Sequence, residues 1–223
     1  MSVTTNLRTA NSYSGFTESE IYYPETDGEP MAETDKHRKL INELIDILNR
    51  YYEAASDVYI TGNIMFYYVE DEPTEVISPD VMVVFGVENV ERRTYKLWEE
   101  KLPAVIIEIA SHGTFKNDRT QKRELYETLG IKEYFIFNPE YPKTLPSLIA
   151  YRLIDKEFQP LKIENGRIYS EVLDLELVDT KNTLRFFDAK EKIFLPTANE
   201  IIADDKKEIE RLKAQLAELK NGQ

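Results

Sequence analysis

Residues 103–110 read P-A-V-I-I-E-I-A. This is a short apolar run, rich in β-branched side chains, with the pattern of a buried strand. Glu108 sits inside it. A carboxylate on a buried strand is costly unless a counter-charge or a cation offsets it. Upstream, a second apolar run over residues 81–85 follows Ser78-Pro79-Asp80. Two acidic residues therefore lie on or beside two core strands, and carboxylates converging from neighbouring strands are a common way to hold a divalent metal.

The bulk composition narrows the chemistry. The 223 residues suit one domain with an appendage. There is no cysteine, which excludes disulfides, thiolate zinc sites and cysteine nucleophiles. Two histidines argue against a His-rich zinc centre, so oxygen ligands and a hard cation such as Mg²⁺, Mn²⁺ or Ca²⁺ are favoured. The formal net charge of −13 argues against non-specific coating of nucleic acid, but a local basic groove or a bound metal is compatible with a nuclease. The sequence shows no apolar stretch long enough to span a bilayer and no apolar signal core near residue 1, so a cytoplasmic protein with no membrane partner is expected.

Along the chain, residues 1–17 are polar and expected to be flexible, residues 18–198 form the main domain, and residues 199–223 form an amphipathic tail. Leu40, Ile41, Leu44, Ile45 and Leu48 recur at helical spacing, predicting a helix over residues 34–55 with Thr34 or Asp35 as N-cap. Short strands are expected at 57–60, 64–69, 78–85, 103–110 and 134–137, with residues 88–101 as a charged link. A helix is expected over 117–129, capped by Asn117 or Asp118 and closed by Gly130. Later runs at 147–154, 168–178, 184–187 and 192–195 read as β hairpins. In the tail, Ile202, Ile209, Leu212, Leu216 and Leu219 fall on a and d heptad positions, with Asp205 interrupting one d. Either a dimerising coil, hence a homodimer, or a helix docked on the body accounts for that stripe.

Three elements carry candidate chemistry. Asp80 opens one strand and Glu108 lies within another. Lys122 follows on the next helix, four residues after Asp118 and four before Tyr126, so Lys122 and Tyr126 share a face. The combination suits phosphodiester hydrolysis. Asp80 and Glu108 would hold Mg²⁺ (or Mn²⁺), with a backbone carbonyl near Ile109 as a further ligand. Lys122 would orient the attacking water or stabilise developing charge, and Tyr126 would support it.

These residues sit in a chain that resembles the Uma2 family, restriction-endonuclease-like proteins of the PD-(D/E)XK nuclease superfamily that are abundant in cyanobacteria. The matching pieces are D-G-E-P-M-A-E-T-D-K-H-R at 27–38, Y-I-T-G-N at 59–63, S-P-D-V-M-V-V-F-G-V at 78–87, R-R-T-Y-K-L-W-E-E at 92–100, E-I-A-S at 108–111 and K-R-E-L-Y-E-T-L-G-I-K-E-Y-F-I-F-N-P at 122–139. The resemblance implies an α/β (α+β) core with a mixed central sheet flanked by helices, here with a C-terminal β extension and a helical tail. It also implies a metal-dependent DNA endonuclease in which Asp80 is the PD aspartate and Glu108 the (D/E) residue. The superfamily lysine falls at Ala110, a departure. The family suggests that this lysine has moved to the following helix, as Lys122. Glu33 and His37 are further supporting candidates.

Each residue also has a plain reading. Asp80 can accept backbone N–H bonds at a strand end. Glu108 can pair with a structural base, Lys122 can pair with Asp118, and Tyr126 can belong to the core. His37 and His112 can be structural or solvent-facing. Arg92, Arg93 and Lys96 with Tyr95 and Trp98 can form a nucleic-acid strip or a solvated loop. The alternative function is a catalytically silent nucleic-acid-binding or assembly module that keeps the nuclease fold.

Overall fold

Leu40, Ile41, Leu44, Ile47 and Leu48 return once per helical turn, and all are buried along one stripe of α1 (Asp35–Tyr51). Thr34 caps it, its hydroxyl accepting the His37 N–H at 3.2 Å. The helix stops four residues short of the expected 55. The computed structural model describes residues 21–26, 34–111, 114–140, 146–181 and 183–221. Glu33 and His112, and the expected N-terminal segment 1–17, lie outside the described residues.

The strands that follow are β1 (Val58–Thr61), β2 (Phe66–Tyr67), β3 (Val76–Ile77), β4 (Val81–Phe85), β5 (Tyr95–Lys96) and β6 (Val105–Ile109). A helical stretch comes next: α2 (Phe115–Asn117), a π turn (Asp118–Lys122) and α3 (Arg123–Leu129). Then come β7 (Glu133–Phe137), β8 (Leu148–Ile154), β9 (Glu157–Pro160), β10 (Arg167–Ser170), β11 (Leu175–Asp179), β12 (Leu184–Asp188), β13 (Ile193–Phe194) and α4 (Ala198–Asn221). The charged link expected at 88–101 therefore contains a strand, β5. The helix expected to start at 117 starts at Phe115, so Asn117 and Asp118 lie inside it rather than capping it.

The central sheet has the order β1-β4-β6-β7-β8-β9. Its only parallel pair is β6 with β7 among the ladders described, and the helical stretch is the crossover between them. All five residues of β6 and of β7 are buried, as expected for strands covered on both faces. Alternation divides the core in two. Val105, Ile107 and Ile109 pack with α1 and with Leu175, Leu177, Leu184 and Phe186 of the C-terminal sheet β10-β11-β12-β13. Ile106 and Ala110 pack on the other side with Tyr126, Tyr134 and residues of the small sheet β3-β2-β5. A slip of one residue in this register would exchange the two faces.

One buried carboxylate ties the two larger sheets together. Glu133 is fully buried, and Arg152 reaches it through Nε at 2.9 Å and Nη2 at 2.8 Å. The Ser170 hydroxyl and the Glu171 N–H, the latter at 3.0 Å, donate to it from the C-terminal sheet. Removing the guanidinium leaves that charge buried and short of donors. Arg152→Ala is expected to cost about 3–5 kcal/mol, read as a lower guanidinium midpoint in a single unfolding transition. A loss within experimental error would show that Glu133 does not need its partner.

Candidate functional site

The site grows out of the β4–β6 register. Val81 stands opposite Ile107 and Met82 opposite Ile106, so one step back brings Asp80 level with Glu108. Alternation then turns both carboxylates to the face that carries Met82, Ile106 and Ala110, toward the crossover helix. Asp80 Oδ2 accepts the Ile109 N–H at 2.7 Å, which locks the strand end carrying one acid to the strand carrying the other. Gly62 is required here. A Cβ at that position would lie 1.9 Å from the Asp80 carbonyl oxygen, so any side chain would push this end of β4 away.

Glu108 is 1% exposed. Its Oε1 accepts the Tyr126 hydroxyl at 2.7 Å, and Lys122 Nζ lies 2.8 Å from its Oε2. Lys122 Nζ also lies 3.2 Å from Asp118 Oδ1, and Asp118 is itself buried. The π turn allows this. In an α-helix, four residues overshoot a turn by ~40°, so 118, 122 and 126 would drift apart around the axis. The wider π turn over Asp118–Lys122 absorbs part of that drift and keeps Asp118 and Tyr126 on the Lys122 face. Tyr134 closes the floor by donating to the Asp118 carbonyl at 2.8 Å.

His37 enters from the first turn of α1. Its Nε2 bonds the Ile109 carbonyl and lies 3.4 Å from Asp80 Oδ2. The candidates Asp80, Glu108, Lys122, Tyr126, His37 and the Ile109 carbonyl are thus brought together. Sequence reading missed Asp118 as a member. Its only signal was the i, i+4 spacing to Lys122, which a surface pair shows equally. The basic and aromatic strip at 92–98 is elsewhere and is tied down structurally: Arg92 lies 4.2 Å over the Tyr59 ring and bonds Glu100 at 2.7 Å, and Lys96 pairs with Glu99 at 3.0 Å.

The electrostatics follow from burial. The Glu108 carboxyl is pushed up to about 8, chiefly by burial and also by Asp80 and Asp118, against the downward pull of Lys122. Burial likewise raises Asp118 against the pull of Lys122. Burial alone would depress the Lys122 ammonium, but Glu108 and Asp118 reverse this and hold its pKa above the ordinary lysine value. Tyr126 is raised by burial and by Glu108, so it stays a hydrogen-bond donor. One ammonium thus faces three carboxylates, and no well-aligned hydrogen bond reaches Glu108 Oε2 or Asp118 Oδ1. A hard divalent cation fits this surplus of negative oxygen. Among the described residues no cluster of three or more acidic or histidine ligands is preassembled, so a cation would draw on Asp80, Glu108, the Ile109 carbonyl and water.

Comparison with known proteins bears on this geometry. The family model Uma2, described as "Putative restriction endonuclease", matches residues 15–180. The chain belongs to the Uma2 family. A crystal structure of a "putative nuclease belonging to DUF820" from Anabaena variabilis is similar at 14% identity, covering 67% of this chain and 81% of that one with a TM-score of 0.47. Among curated proteins, none matches. The Uma2 match takes in all the candidate residues, from Glu33 to Tyr126, and ends before α4. Among the described residues, no helix is long and apolar enough to cross a membrane.

The raised carboxyl gives a stability test. The unfolded chain releases the Glu108 proton near the ordinary value of 4.5, whereas the native protein holds it to about 8. Native stability therefore falls as pH rises through that window. Glu108→Gln removes the loss and keeps an acceptor for Tyr126. In chelator-treated protein, this variant is expected to melt close to wild type at about pH 5 and several degrees above it at about pH 9. Equal melting temperatures at both pH values would contradict the assignment.

Proposed function

We propose that the protein is a metal-dependent endonuclease that hydrolyses phosphodiester bonds in DNA. Asp80, Glu108 and the Ile109 carbonyl hold Mg²⁺ or Mn²⁺. The observation that carries this reading is the 2.8 Å approach of Lys122 Nζ to Glu108 Oε2, because it delivers a lysine to the acid pair from the helix. The strand position that the superfamily pattern gives to lysine is the buried Ala110. When bound, the ion supplies Lewis acidity and lowers the pKa of a coordinated water.

The remaining work falls to the side chains. Lys122 orients the attacking water and offsets charge growing on the phosphate. Asp118 holds the ammonium in place from within the same helix, and Tyr126 fixes the Glu108 carboxylate by its other oxygen. Asp80 is oriented by the Ile109 N–H, which leaves its second oxygen for the metal. His37, whose Nε2 bonds the Ile109 carbonyl and lies 3.4 Å from Asp80 Oδ2, stands beside the acid pair as a supporting group. Glu33, just ahead of α1, is retained as a supporting group.

The test is cleavage of supercoiled plasmid with Mn²⁺ or Mg²⁺ by wild type, Glu108→Ala and Lys122→Ala. Wild type is expected to nick or linearise the plasmid, and each variant to lose about 10²-fold or more. Loss in Glu108→Ala alone would keep the nuclease and remove the role of Lys122. Absence of wild-type cleavage on both duplex and single strands would favour a silent nucleic-acid-binding or assembly module.

A further inference from the structure

Beyond its first turn, helix α4 is uncovered by the body. Every residue over 202–220 is exposed, including Ile202, Ile209, Leu212, Leu216 and Leu219 on one stripe, the last at 71%. The docked-helix reading of the tail is therefore excluded for these residues. The base of the helix is fixed. Thr197 and Glu200 form a reciprocal capping box, with the Thr197 N–H to Glu200 Oε2 at 2.8 Å and the Glu200 N–H to Thr197 Oγ1 at 3.2 Å. Arg185 holds Glu200 at 2.8 Å, and Arg50 donates to the Pro196 carbonyl at 2.8 Å. A helix in a protein draws most of its stability from packing its apolar face, and this one keeps its apolar stripe uncovered.

We propose that α4 pairs with the α4 of a second copy in a parallel, in-register, two-stranded coiled coil. The charge pattern selects that occupant. With Ile202, Ile209 and Leu216 at a, and Asp205, Leu212 and Leu219 at d, the e positions are Lys206, Lys213 and Lys220, and the g positions are Ile201, Glu208 and Gln215. In a parallel pair each g faces the e five residues further along the other helix. Glu208 then meets Lys213 twice by symmetry, and the remaining g–e pairs contain no like charges. In an antiparallel pair e faces e, and lysine would meet lysine throughout. Ile at two a positions with Leu at d favours two strands over three. Asp205 at d faces its own symmetry mate, a like-charge pair in the seam that costs stability.

The dimer does not depend on the nuclease reading, but it is compatible with it. Arg50, at the tail base, and His37, at the candidate site, lie thirteen residues apart on α1, about 20 Å along its axis. The coil therefore forms away from both sites.

Because the chain lacks cysteine, introduced cysteines report cleanly on helix orientation. Sedimentation equilibrium of the full chain is expected to give twice 26.0 kDa. A Leu212→Glu, Leu216→Glu double variant is expected to give the monomer mass with the far-UV and near-UV spectra of the body unchanged, since both side chains are exposed in the single chain. Leu219→Cys is expected to oxidise to a covalent dimer. Asp205→Leu is expected to shift dissociation to concentrations about tenfold lower. A monomeric or trimeric wild type, or a double variant that stays dimeric, would overturn the proposal. So would cross-linking seen only when Ile202→Cys and Leu219→Cys are combined, which marks an antiparallel pair, or an Asp205→Leu variant with unchanged dissociation.

Discussion

The buried contact between Glu108 and Lys122 is the constraint on which the site depends. A carboxyl at 1% exposure on a central strand needs a close counter-charge or a retained proton. That counter-charge comes from the crossover helix between β6 and β7. The helix must therefore lie over the end of β6 at a height and rotation that bring Lys122 within 2.8 Å. The π turn, the Tyr126 bond to the other carboxylate oxygen and the Asp118 brace all serve that placement. On the far side, Asp80 is held by the backbone of the residue that follows Glu108.

Two buried glutamates on neighbouring strands make an instructive contrast. Glu133 is saturated: a guanidinium, a hydroxyl and backbone N–H groups take up both of its oxygens. It joins two sheets and has no spare capacity. Glu108 has one hydroxyl and one ammonium, shares the ammonium with Asp118, and has its pKa raised to about 8. A fully satisfied buried charge reads as structure, whereas an undersupplied one facing a second acid reads as a place for a cation or a proton.

Much of this was legible in the sequence, for identifiable reasons. Glu108 declares itself because a single charge interrupts an apolar strand, and Asp80 because it precedes the partner strand. Lys122 and Tyr126 share a helical face by spacing alone. Asp118 was misread as a cap because sequence cannot place the start of a helix to within a turn, and Phe115 proved to be its first residue. Glu133 was overlooked because it stands at the edge of an apolar run, and only the fold brings Arg152 and Ser170 to it. The strand at Tyr95–Lys96 escaped notice because two residues carry no period. The tail was legible as a stripe, but whether the body covers it is a tertiary question.

The most direct test of the account is thermal denaturation of wild type and Glu108→Ala with increasing Mn²⁺. The melting temperature is expected to climb with metal concentration in wild type and to stay flat in Glu108→Ala, because a ligand that binds only the native state stabilises it by mass action. A flat wild-type response, or an equal climb in the variant, would contradict the claim that Glu108 is the centre of a cation site.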